Sequence, residues 1–150
     1  MRRQRVDREA AEVSERAART ALARGDEARA EITRRSSEQR INDVSRAELS
    51  RFDENGVRAG ELARVGDWRK GAERELAAKQ QKEMQAREAL RTEVAAEAVA
   101  RRALGVASNE ADLIDGHREA WKKERASAEE RSEEEAILEQ WTAKRYPLRG

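Results

Sequence analysis

No proline interrupts the chain from Arg2 to Arg145; the only one stands at position 147. Proline is the residue that ends helices, because it lacks the amide hydrogen and crowds the preceding turn. The proline-free run is also rich in Ala, Arg, Glu, Lys, Gln and Leu, which hold helical backbone at the least cost. Long α-helix is therefore the expected state of nearly the whole chain. The apolar material is too thin for a globular core: hydrophobic residues make up 37% of 150, and half of them are alanine. What they can form is a seam between helices. The competing expectation is intrinsic disorder, for which a mean hydropathy of −1.06 and 42% charged residues would also serve.

Thirty-two Lys and Arg stand against 31 Asp and Glu, a net charge of +1. So even a balance gives no sustained basic surface, and nucleic acid is not an expected partner. The charges are nonetheless unevenly placed. Arg2, Arg3 and Arg5 precede the first acid, Asp7, while residues 110–140 are strongly acidic, and Lys144, Arg145 and Arg149 follow the last acid, Glu139. Zero cysteines remove disulfides and thiolate metal sites and fit a reducing cytoplasm. No apolar run approaches the ~18 residues of a membrane span, and the N-terminal stretch has no apolar core of a secretion signal. No direct membrane insertion is expected.

Along the first part, Val6, Ala10, Val13, Ala17, Ala21, Ala28, Ile32, Ile41, Val44, Leu49 and Phe52 recur at steps of three and four or their sums, a helical period. Later, Leu76, Met84, Leu90, Val94 and Ala98 do the same. Acid-first pairs four residues apart, Glu12–Arg16, Glu15–Arg19, Glu31–Arg35, Glu83–Arg87, Glu97–Arg101 and Glu119–Lys123, reinforce the helices. Four of the eight glycines fall between 56 and 71, and Asn55-Gly56 is a favoured turn dipeptide. The expected architecture is all-α: helix 1 over about 4–54, a turn region over about 55–71, and helix 2 over about 72–145. The two form one antiparallel coiled-coil hairpin. Gly105, with Ser108 or Asn109 as a restarting cap, marks a candidate kink near 105–109.

Chemistry is conspicuously lacking. There is no phosphate-cradling loop, no nucleophile elbow and a single histidine, His117, so no catalytic, metal or cofactor-binding residues are proposed and no enzyme is expected. The run Glu129 to Glu135 reads as a solvated face. The three tryptophans ask for more explanation. Trp68 lies beside the proposed turn. Trp121 keeps the seam spacing and reads first as coiled-coil filling. Trp141 has few apolar neighbours and reads as a partner anchor, with Lys144 and Arg145 steering around it.

The stretch HREAWKKERASAEERSEEEAILEQWTAKR, His117 to Arg145, resembles the FliJ/YscO family of type III secretion and flagellar export stalk proteins. The matching elements are the Trp121–Arg125 segment, the Glu129–Glu135 run, the aromatic at Glu139–Trp141 and the basic Lys144–Arg145 end. The likeness is detailed over the last third and architectural elsewhere. It implies a stalk that enters the pore of a hexameric export ATPase and contacts the export gate and, for some members, secretion chaperones. It also implies a cytoplasmic place, peripheral to the inner-membrane secretion apparatus. The family's gate-binding face lies on the early second helix, where Leu76 holds the comparable apolar position. Trp121, Trp141, Lys144, Arg145, Leu76, Arg2, Arg3 and Arg5 are thus the expected partner-binding residues. The hairpin draws the two basic ends toward a common tip, although helix 2 overshoots helix 1 by about 25 residues. The protein alone is expected to be a monomer. From a different class, the alternative is a homodimeric coiled-coil scaffold or spacer.

Overall fold

The computed structural model describes residues 2–146, and Met1, Pro147 and Arg149 lie outside the described residues. Two helices account for almost all of it: α1 (Arg2–Asn55, 54 residues) and α2 (Ala59–Arg145, 87 residues). At 1.5 Å per residue these are rods of ~80 and ~130 Å. They pack against each other as an antiparallel all-α hairpin.

The reversal needs only Gly56, Val57 and Arg58, not the longer region expected from the glycine cluster. Gly56 takes φ +74°, the left-handed conformation that an L side chain resists, and its amide still donates to the Phe52 carbonyl at 3.0 Å. Arg58 is extended, and its carbonyl accepts the Glu61 and Leu62 amides at 3.1 Å each, which starts α2. Gly60, Gly66 and Gly71, expected in the turn, are helical. Helical backbone also runs unbroken through 105–109, where a kink was a candidate. Glycine lowers helix stability without forbidding the conformation, and here the packing of α2 on α1 outweighs it.

One register runs the length of the hairpin. Arg51 meets Glu61 near the turn, Lys79 Nζ donates to Ser37 Oγ, Arg34 pairs with Glu83, and Arg5 Nη1 reaches Glu110 at 2.9 Å near the open end. The covered positions follow a strict seven-residue repeat: on α1, Val6, Val13, Thr20, Glu27, Arg34 and Ile41, interleaved with Arg16, Ala23, Ala30, Ser37 and Val44. On α2 they are Leu76, Glu83, Leu90, Glu97 and Leu104, interleaved with Ala72, Lys79, Ala86, Glu93, Ala100 and Ala107.

This seam takes up only part of the apolar stripe read from the sequence: Val6, Val13, Ile41, Val44, Leu76 and Leu90 lie in it, and other members do not. Ile32, Leu49, Met84 and Val94 are exposed by 64%, 63%, 56% and 42%. Among the described residues only Thr20, Ala23, Glu83, Ala100 and Ala107 are fully buried. Small and charged residues alternate in the layers because a two-helix seam remains close to water on both sides. Glu83, the most enclosed charge, is held by Arg34 and by Arg87 at 2.7 Å. Glu83, and then Glu38, raise the Arg34 guanidinium pKa further above its already high value. Five of the six expected i,i+4 pairs form; Glu119 instead takes Lys122, three residues on, at 3.4 Å.

Candidate functional site

The chain of physical causes that ends in an exposed site begins with unequal helix lengths. α1 starts at Arg2, and Arg2 and Arg3 lie against Ala111, Ile114, Asp115 and Arg118 of α2. Beyond Arg118, α2 continues alone for about 27 residues, an overhang of ~40 Å. Every residue from Asp115 to Tyr146 is exposed. The overhang stays helical through local support: Arg125 pairs with Glu129 at 3.4 Å, and Lys144 and Arg145 sit in the last turn, where positive charge complements the helix dipole.

Two tryptophans stand on this segment, each with an arginine four residues on. The Arg125 guanidinium lies 5.3 Å from the Trp121 ring centroid, and that of Arg145 lies 4.6 Å from the Trp141 centroid. Both are cation–π contacts that shield one face of an indole and leave the rest open; the tryptophans remain 57% and 53% exposed. The seam-filling reading of Trp121 is therefore corrected: α1 ends before reaching its level. About twenty residues separate the two rings, which is five and a half turns, so they point to nearly opposite sides of the rod. Trp141 joins Ile137 and Leu138, 66% and 61% exposed, in an apolar patch near the tip. Trp121 stands instead among Arg118, Lys122 and Arg125.

The remaining expected residues separate. Lys144 and Arg145 flank Trp141 as read from the sequence. Arg2, Arg3 and Arg5 do not join them: the register holds them beside residues 110–118, ~40 Å from Trp141, and Arg5 is occupied by Glu110. A single basic tip does not form. Leu76 is half-buried in the seam, turned toward α1 rather than outward. Trp68 is half-buried too, near the turn, lining a cavity of about 390 Å³ with Val44, Glu48, Arg51, Glu61, Arg64 and Val65. Sequence reasoning passed over Arg125, Ile137 and Leu138 as site residues. Their signal was available, since each lies three or four residues from a tryptophan and so shares its face.

Among the described residues no group of His, Asp and Glu is arranged to hold a metal ion, and no helix is long and apolar enough to cross a membrane. The overhang presents two indoles, each with one face against an arginine, to solvent. Compared with protein-family models, curated proteins and solved structures, the chain matches none.

Proposed function

We propose that the chain is the non-catalytic stalk of a type III protein export apparatus, inserting its overhang into a hexameric export ATPase and linking that ring to the export gate. The observation that supports this most is the free end of α2. It is a single helix about 10–12 Å across with side chains, slender enough to enter a ring, and it carries exposed Trp121 and Trp141. The hairpin behind it supplies a stiffer, two-helix body. A rod of this kind has no phosphate cradle, so its effect on the ATPase comes from touching the states of the ring's subunits unequally. Its place is cytoplasmic, at the inner face of the secretion apparatus. The alternative scaffold, a parallel homodimer of continuous helices, has less support because the chain reverses at Gly56.

The test is a titration of the purified chain into the cognate ATPase, followed by phosphate release. Stimulation should saturate near one chain per hexamer and be lost on deleting residues 117–150. Trp141→Ala with Lys144→Glu and Arg145→Glu should weaken binding while circular dichroism is unchanged. Saturation near one chain per subunit, or stimulation retained after the deletion, would leave a peripheral scaffold as the better account.

A further inference from the structure

The seven-residue repeat that closes the hairpin does not stop where α1 ends. Continued along α2 from Ala107 and Ala111, it passes through Trp121, Arg125, Ala128, Ser132, Glu135 and Glu139. The layers this repeat makes inside the hairpin are of the same kind: Arg34 with Glu83, Ser37 with Lys79, and alanine. The overhang thus carries half of a seam whose other half is missing. On the same repeat, Arg125 and Glu135 stand ten residues apart with only Ala128 and Ser132 between them.

We propose that the missing half is the overhang of a second copy of this chain, bound antiparallel and centred near residue 130. Antiparallel pairing sets Arg125 of each copy against Glu135 of the other, whereas in-register parallel pairing would set every charge beside its own copy. With the repeat in phase, Arg125 faces Glu135 of the partner subunit in two symmetric layers, as Arg34 faces Glu83 within one chain. Ala128 faces Ser132 of the partner subunit in the small layers between them. Arg145 of each copy then lies level with Asp115 of the other. Like charges meet at the two-fold axis, where Glu129 and Arg131 oppose their own copies. Glu129 is already paired with Arg125 on its own helix. A small, mostly polar interface of this kind gives a reversible dimer and leaves a monomer at low concentration. The inference rests on the hairpin and the overhang and needs no ATPase, so it stands or falls apart from the proposed function.

The test is sedimentation equilibrium of the full chain from about 5 to 500 µM, a range that brackets micromolar to sub-millimolar association. The mass should rise from 17.0 kDa toward twice that value. Arg125→Glu and Glu135→Arg, each alone, should weaken self-association at least tenfold with helicity retained. An equimolar mixture of the two variants should restore it, because both ionic layers are then complementary in the mixed dimer. Orientation is read by cross-linking, since the chain has no native cysteine: Arg118→Cys mixed with Thr142→Cys should form the heterodisulfide faster than Thr142→Cys forms its own. A monomer throughout the range, a dimer indifferent to both charge reversals, a mixture no tighter than its components, or preferential Thr142→Cys self-linkage would each overturn the proposal.

Discussion

Glu97 shows how a charged residue can serve inside so thin a seam. The Thr20 hydroxyl on the facing helix, and then Arg101 at 2.6 Å, hold its carboxyl pKa below the ordinary 4.5. A carboxylate whose folded pKa is depressed adds stability that is complete above its unfolded pKa, ~4.3, and is lost as pH falls through the lower folded value. Glu97→Gln should therefore melt below the native chain at neutral pH, and the difference should shrink and vanish as acid protonates Glu97; thermal melts across pH check this. Glu93, one turn earlier, is the contrary case. Its Oε2 is buried with no hydrogen-bond partner, a condition that costs about 1–3 kcal/mol. Glu93→Met keeps the side-chain length without the orphaned oxygen. We expect a gain of about 1 kcal/mol, seen as a melting rise of ~2–4 °C.

For the elements, the two helices are built on different terms. α1 begins with arginines and has no basic residue in its last turn, the reverse of what the helix dipole favours, whereas α2 has Glu61 in its first turn and Lys144 and Arg145 in its last. The ends of α1 are thus held by α2, through Arg5–Glu110 and Arg51–Glu61. The glycines divide in the same spirit. At Gly56 a side chain meets the steric cost of positive φ, and Gly56→Ala should lose about 1–2 kcal/mol. At Gly60, Gly66 and Gly71 an added Cβ meets nothing within 4 Å. Alanine there should gain roughly 0.5–1 kcal/mol apiece. Urea or thermal unfolding monitored by circular dichroism distinguishes them, and a stabilising Gly56→Ala would place the reversal elsewhere.

As a whole molecule, the protein is a coiled-coil hairpin joined to a single helix, and its helix–helix packing and its exposed tryptophans lie on separate lengths of chain. Among the described residues the packing of α1 on α2 lies between residues 2 and 118, and the exposed Trp121 and Trp141 lie beyond. Ending the chain after Arg118 should leave the hairpin's melting temperature within ~2 °C, because residues 119–146 are exposed and long helices of this composition are held locally. The same truncation should lower the total helical signal in proportion to the residues lost, which circular dichroism measures. A large fall in melting temperature would mean that the overhang folds back on the body.

The fold class and the helix content were legible in the sequence because backbone chemistry is local: no proline from Arg2 to Arg145, strong helix formers and acid-first charge pairs leave no other regular structure. The reversal near Asn55-Gly56 was legible for the same reason, though not its brevity, since glycine at 60, 66 and 71 signals a turn as readily as it tolerates a helix. The tryptophans and their flanking charges could be singled out as candidates. Which of them stand free could not. That depends on the register, and the register is decided jointly by layers such as Arg34–Glu83 and Thr20–Glu97, whose members lie far apart in sequence and look individually like polar surface residues. It is this pairing across the hairpin that turns Leu76 inward, parts Arg2 and Arg3 from Lys144 and Arg145, and leaves Trp121 and Trp141 on a helix with no partner. Only the tertiary structure could decide it, because a seam so poor in large apolar residues writes no stripe strong enough to be read from one helix alone.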